Sequence, residues 1–335
     1  MSGMSLGYVL VRSVILVVLL LSGFAYFMVM ERKVLGYFQL RWGPVRVGPW
    51  GLLQPLADGL KMVAKEDTQP AAADRLLFLA APALALFVAL GAFAVIPLGP
   101  TLHFGSWSLP LSITNPRSGL LFVLALLSLG VYGVSLGGWA SQGKYSLLGG
   151  LRASAQMVSY ELALGLAVIS AVVLTGTLSL PGMVGAQAAH GLWAVVPDIL
   201  GFIVFVICSV AECNRAPFDL AEAEGELVAG FHTEYSGFRF ANFAMAEYIN
   251  MFTLSALGAI LFLGGWLGPF GLPSSFWWLL LKMAVYLFFF IWLRATYPRI
   301  RYDRLMNFGW KVLVPIGFLN LVWISVFVAL GGWHA

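Results

Sequence analysis

Eight apolar runs, each long enough to cross about 30 Å of hydrocarbon as a helix, limit what this chain of 335 residues can fold into. They cover residues 8–30, 76–98, 118–136, 153–174, 192–210, 240–262, 276–293 and 312–330. Backbone groups in lipid find no water to bond, so each run has to satisfy its own hydrogen bonds, and helices do that. Barrel strands would be shorter and would alternate in polarity. Charged residues make up only 10% of the chain, against about 25% in a soluble domain. That deficit excludes an ordinary soluble two-domain enzyme, and the 60% apolar content excludes disorder. The expected fold is an all-α polytopic membrane protein, one integral domain over 1–335, with eight transmembrane helices. The first run follows a start without basic residues and is too long for a signal-peptide core, so it reads as a retained span. Pro82, Pro197 and Pro315 fall inside predicted spans and are expected to kink them. Gly133 and Gly137 form a small-residue step suited to close helix contact.

The basic residues orient the bundle. Sixteen of the nineteen Lys and Arg side chains lie in or beside the odd-numbered loops, about 31–75, 137–152, 211–239 and 294–311. Arg117 alone falls on the other side, while Arg12 and Lys282 fall within spans. The positive-inside rule then predicts those loops in the cytoplasm and both termini outside. Within the first loop, residues 51–65 are too short and too mixed to span. Leu52, Leu56, Leu60 and Val63 recur at helical spacing, while Asp58, Lys61 and Lys65 project elsewhere. This pattern predicts an amphipathic helix at the interface, or one packed on a partner protein.

Seven of the fifteen acidic residues crowd between Glu212 and Glu247: Glu212, Asp219, Glu222, Glu224, Glu226, Glu234 and Glu247. An acidic run is ordinarily a solvated loop. Here Leu220, Leu227, Val228 and Phe231 interrupt it, and Glu247 lies ~10 Å inside a predicted span at 1.5 Å per residue. Glu161 sits similarly deep in the fourth. An ionisable group in a bilayer is costly unless hydrated or partnered, which makes Glu161 and Glu247 candidates for a proton or ion path; the alternative is a structural hydrogen bond. Glu222 and Glu226, four apart, would share a face if the loop is helical there. At ~6 Å and an effective dielectric near ~20 they would repel by about 3 kcal/mol, favouring a proton on one. Arg215, four before Asp219, is the expected counter-ion.

Other patterns carry no chemistry. Gly138 to Tyr145 imitates a phosphate-binding loop, but Tyr145 stands where a Mg²⁺-binding hydroxyl residue is needed, and no soluble strand precedes it. Cys208 and Cys213 are too few for a metal cluster and read as free thiols. The four histidines lack ligand spacing. With no dinucleotide fingerprint either, redox centres are expected on other chains and none on this one. The charge excess reads as topology, not as nucleic-acid binding.

Two loop stretches carry a family resemblance. The first is Glu31-Arg32-Lys33-Val34-Leu35-Gly36-Tyr37-Phe38-Gln39-Leu40-Arg41-Trp42-Gly43-Pro44, continuing through Val47-Gly48-Pro49 to Gln54-Pro55-Leu56-Ala57-Asp58. The second is Glu212-Cys213-Asn214-Arg215-Ala216-Pro217-Phe218-Asp219-Leu220, continuing through Glu222, Glu224 and Glu226 to Phe231-His232-Thr233-Glu234-Tyr235-Ser236-Gly237. Both closely resemble the H-subunit family of bacterial proton-translocating NADH:quinone oxidoreductase (respiratory complex I), whose mitochondrial counterpart is NADH dehydrogenase subunit 1. Arg294-Ala295-Thr296-Tyr297-Pro298-Arg299 and Arg301-Tyr302-Asp303 extend the similarity over essentially the whole chain. Val45, Ala221 and Cys213 depart from the family's common Asn, Pro and Thr, and none of these changes removes a charge.

The resemblance implies an eight-helix subunit where the membrane arm meets the peripheral arm. It implies a quinone chamber built with two peripheral-arm subunits, which supply the terminal iron–sulfur cluster and the headgroup ligands. Quinone would enter from the lipid between the first and sixth spans and the amphipathic helix. By motif, Arg32, Arg41, Asp58, Arg215, Phe218, Asp219, Glu222, Glu224, Arg294 and Arg299 would line or border the chamber. Glu161, Glu212, Glu226, Glu234 and Glu247 would form an acidic path toward the pumping subunits of the membrane arm. Quinone would be the substrate, with NADH, FMN and iron–sulfur clusters held by partner subunits, so the chain would not be catalytic alone. The competing readings are a homologous subunit of a membrane-bound hydrogenase or ferredoxin-linked complex, a stand-alone proton-coupled transporter, and an inert anchor.

Overall fold

The computed structural model describes residues 6–104, 107–109 and 111–333. In chain order its helices are α1 (Leu6–Phe38), α2 (Gln54–Ala64), α3 (Arg75–Ala94), α4 (Gly119–Ala140), α5 (Lys144–Thr175) and α6 (Leu180–His190). They continue as α7 (Ile199–Glu212), α8 (Glu224–Leu227), α9 (Gly237–Phe262), α10 (Phe276–Thr296), α11 (Tyr302–Phe308) and α12 (Val314–Ala329). A π turn over Gly309–Leu313 joins α11 to α12 as one rod. Pro315 stands two residues beyond that turn, in the first turn of α12, where a missing N–H is best tolerated. Pro82 lies within α3.

Seven of the described helices are long and apolar enough to cross a membrane. The fifth predicted run departs from expectation, because only Ile199–Glu212 of it is helical, and that helix is shorter than the other seven. Pro197 disfavours helix at the residue before it, and Asp198 then caps α7 by accepting from the Gly201 N–H at 3.1 Å. The all-helical expectation also misses a small backbone pairing, β1 (Leu102–Phe104) antiparallel to β2 (Trp107–Leu109).

Burial and hydropathy are opposed at the two extremes of the bundle. Among the seven, α9 is the least apolar and the most enclosed, whereas α1 is highly apolar and the most open. Glu247 and Asn250 would be stranded in lipid, so the helix that carries them takes the centre. Around α9 stand α3 and α10; α4 lies along α3, and α5 along α4, α7 and α12. At the α3–α4 crossing, a Cβ added to Gly133 would sit 2.8 Å from the Ala85 Cβ, so the glycine permits the close approach expected of this step. The two basic residues within spans are also placed. Arg12 donates to the Ser112 carbonyl at 2.6 Å. Lys282 Nζ donates to the carbonyls of Leu263, Gly265 and Leu267 at 2.6 to 2.8 Å, just past the C-terminus of α9, where a cation suits the helix dipole.

Gly133→Leu should force α3 from α4 and cost about 1–3 kcal/mol by overpacking. Gly130→Ala, where a Cβ meets its nearest neighbour at 3.9 Å, should be neutral. Thermal unfolding of the detergent-solubilised protein checks both.

Candidate functional site

The loops after α1, α7 and α10 converge on one end of the bundle. Glu31 begins the charged stretch after the first apolar run, yet α1 continues through it to Phe38. Its carboxylate is only 4% exposed. Tyr248 Oη, from α9, donates to Glu31 Oε2 at 2.6 Å, and Arg294, at the end of α10, donates to Oε1. Arg215 Nη1 also reaches Oε1, at 3.5 Å. The other side of Arg215 pairs with Glu247: Nε stands 2.8 Å from Oε1, close but off the N–H axis. The guanidinium carbon lies 4.2 Å from the Tyr248 ring centroid. Two carboxylates thus balance two guanidiniums, which is the condition for leaving such charges out of water. Burial works against the Arg215 charge, but Glu247, Tyr248 and Glu31 outweigh it and push its pKa well above the usual arginine range.

Arg215 is therefore not the counter-ion of Asp219. That role falls to Arg299, whose Nη2 is 2.6 Å from Asp219 Oδ2. The intervening loop is largely irregular, because α8 is only four residues long and begins after Glu222. Glu222 and Glu226 consequently share no helix face. The Glu222 N–H donates to Asp219 Oδ1 at 3.3 Å, and Glu222 Oε1 lies 4.0 Å from His232 Nδ1. Glu226 turns outward to Arg152, at 2.5 Å. Phe218 is buried, its ring centroid 5.6 Å from that of Tyr160. The loop returns at Gly230, whose φ of +57° places a hypothetical Cβ 1.7 Å from the Ala221 carbonyl oxygen; only glycine fits there. The side chain of Glu224 lies outside the described residues.

Behind this loop is a cavity of about 40 Å³, enough for a few water molecules. Its polar lining is Glu212, Asn214, Glu222, Glu247 and Asn250. Glu212 is 4% exposed, and among the described residues its Oε2 meets no donor; Asn250 Oδ1 is likewise unmatched among them. Glu161 lies outside the cavity wall, on α5, where it accepts from Ser128 Oγ of α4. It remains near enough for its charge to act on Glu212. Half-buried Glu234 rests against Gly143, which precedes α5.

The third group frames the lateral edge. Arg32 Nη1 of α1 pairs with Asp58 Oδ2 of α2 at 2.8 Å, joining the two helices, while Gln54 Nε2, also of α2, donates to Asp58 Oδ1 at 2.9 Å. Arg239 pairs with Asp67 at 2.9 Å, and Ser236 Oγ donates to the Glu66 carbonyl at 3.0 Å, fixing the end of α2 to α9. Leu56, Leu60 and Val63 of α2 are exposed, as the amphipathic reading expects. Arg41 is exposed and donates to Gln39 at 2.7 Å, apart from the buried network.

The family comparison decides the assignment. The family model for NADH dehydrogenase matches residues 11–325. The chain belongs to the NADH dehydrogenase family. It is similar to the first of two H subunits of NADH-quinone oxidoreductase in Geobacter metallireducens, 53% identical over 298 residues, covering 89% of each chain. It is also similar to the second such H subunit of Geobacter sulfurreducens, 51% identical over 307 residues, covering 91% of this chain and 92% of the relative. For the second H subunit of G. metallireducens the identity is 50% over 330 residues, with 95% of each chain covered. Family membership agrees with the resemblance carried by the two loop motifs. Those motifs include Glu31, but spacing alone did not single it out, nor Tyr248, Asn250 or His232. Glu31 and Tyr248, which bond each other, are 217 residues apart in sequence.

His232 gives this loop a pH dependence. Burial lowers its pKa from 6.5 to about 4, against an opposing pull from Asp219. Between those two values the unfolded chain binds a proton that the folded loop refuses, so stability falls as pH drops through that window. The full effect is up to about 3 kcal/mol. His232→Gln should remove this part of the acid sensitivity, as measured by unfolding against pH.

Proposed function

We propose that this chain is the membrane subunit of NADH:quinone oxidoreductase that lines the quinone path and passes the energy of quinone reduction to buried carboxylates. The observation that carries the reading is the juxtaposition of a balanced buried ion network with a polar cavity, sharing Glu247. Relatives named as H subunits of NADH-quinone oxidoreductase support the quinone reading over the hydrogenase or ferredoxin-linked one. In this reading α7 is the fifth of eight crossings. The basic loops face the cytoplasm, and both termini lie outside the bacterial inner membrane.

Quinone enters beside α2, its apolar tail following the exposed Leu56, Leu60 and Val63 face, and its head passing between α1 and α9. Arg32, Asp58, Arg215, Arg294 and the Asp219–Arg299 pair border its course, with Phe218, Glu222 and Glu224 at the loop. Arg41 marks the rim toward the peripheral arm. Electrons arrive from an iron–sulfur cluster on a partner subunit, which also supplies headgroup ligands; NADH and FMN belong to partners as well. Reduction to quinol takes two electrons and two protons.

One negative charge appearing ~10 Å from a carboxylate, at an effective dielectric near ~20, favours its protonation by about 1.7 kcal/mol. Glu222 and Glu247 meet that charge first. Glu212, whose Oε2 has no donor among the described residues, can take a proton through water in the cavity. Glu161 feels the change in charge on Glu212 and faces the neighbouring membrane-arm subunits. Glu234 and Glu226 flank this path at the start of α5 and at the loop surface. Glu161→Gln and Glu222→Gln should each leave the complex assembled and impair proton-coupled quinone reduction. Normal quinone reduction with normal pumping in both variants would end this reading.

A further inference from the structure

At the end of α7 away from Glu212 lies a carboxylate that the proposed quinone path does not use. Asp198 is fully buried, at 0% exposure. Its Oδ1 accepts from the Gly201 N–H at 3.1 Å and from Asn320 Nδ2 of α12 at 2.8 Å. Its Oδ2 is 2.6 Å from Ser170 Oγ of α5, and that same hydroxyl oxygen is 2.8 Å from the Ala167 carbonyl. A serine hydroxyl has one proton to give, whereas a backbone carbonyl and an ionised carboxylate only accept. One proton cannot serve both oxygens at full strength. The hydrogen-bond count closes if Asp198 itself carries a proton. Asp198 Oδ2–H then donates to Ser170 Oγ, Ser170 donates to the Ala167 carbonyl, and Oδ1 keeps its two N–H donors.

The surroundings agree. Asn320 is 1% exposed, and its Oδ1 meets no donor among the described residues, so its amide is oriented by the bond to Asp198. No cationic side chain forms an ion pair with Asp198 among the described residues. The segments 167–174 of α5, 191–197, and 314–329 of α12 contain no titratable side chain; beside them, His190 stacks on Trp333 and Lys282 lies over the Trp193 ring, bonded to the carbonyls of Leu263, Gly265 and Leu267, and neither forms an ion pair with Asp198. An ionised carboxylate here would be a buried charge without a counter-charge, which is costly in a protein interior and more so in a bilayer.

We propose that Asp198 is a proton-binding site, a neutral carboxylic acid whose ligand is one proton and whose fixed partners are Ser170 and Asn320. The site joins the helices that carry Glu161 and Glu212 to α12. Glu161 is nine residues from Ser170 along α5, ~13.5 Å, and Glu212 fourteen from Asp198 along α7, ~21 Å. The protonation state follows from the local bonding and does not rest on the quinone reading.

Infrared spectra of the intact purified complex test it. Wild type minus Asp198→Asn should contain the carbonyl stretch of a protonated carboxyl group, constant from neutral to mildly alkaline pH. In Ser170→Ala, a small change independent of the first variant's assembly, that band should shift, because the acid loses its acceptor. A difference spectrum with only the paired stretches of an ionised carboxylate would overturn the proposal. So would a carboxyl band that Ser170→Ala leaves in place.

Discussion

A guanidinium withdrawn from water has to be matched where it stands, and Arg215 is matched by residues from two membrane helices. Glu31 and Glu247 flank it, Tyr248 lies under its plane, and Arg294 restores the charge balance. This requirement ties the loop after α7 to α1, α9 and α10. Removing one partner of such a set typically costs about 3–5 kcal/mol, because the remaining charge stays buried. The loop is thus held by electrostatics where its backbone has little regular structure to hold it.

The same constraint explains why α9 stands at the centre. A helix presenting Glu247 toward Arg215 and Asn250 toward the cavity has no favourable lipid-facing orientation. More apolar helices such as α1 take the outside. Glu247 belongs to both the ion network and the cavity wall. Glu212 lines the same cavity, and its Oε2 meets no donor among the described residues. In the proposed function, that shared residue is where chemistry on an adjoining subunit reaches the interior of this one.

Seven long apolar helices are legible from apolar run length, because lipid penalises any other backbone arrangement over such stretches. Their ends are less so. Glu31 reads as the start of a loop, but bonds from Tyr248 and Arg294 let α1 carry it inside the bundle. The fifth run contains Pro197 and Asp198, which together delay the helix start in a way that hydropathy alone does not register. The pairing of Arg215 with Asp219 was inferred from local spacing and is not formed; its partner Glu31 is 184 residues away in sequence. The i,i+4 relation of Glu222 and Glu226 failed because the loop is not helical at Glu222. Side-chain patterns within one segment do not report such long-range pairing. The two motif stretches do meet in the fold, at the contact between Glu31 and Arg215.

The most direct measurement is proton translocation per quinone reduced in reconstituted complex carrying Glu247→Gln. The account predicts an assembled complex in which proton-coupled turnover falls roughly tenfold, ~1.4 kcal/mol of lost coupling. Unchanged turnover together with an unchanged proton-to-quinone ratio would contradict it.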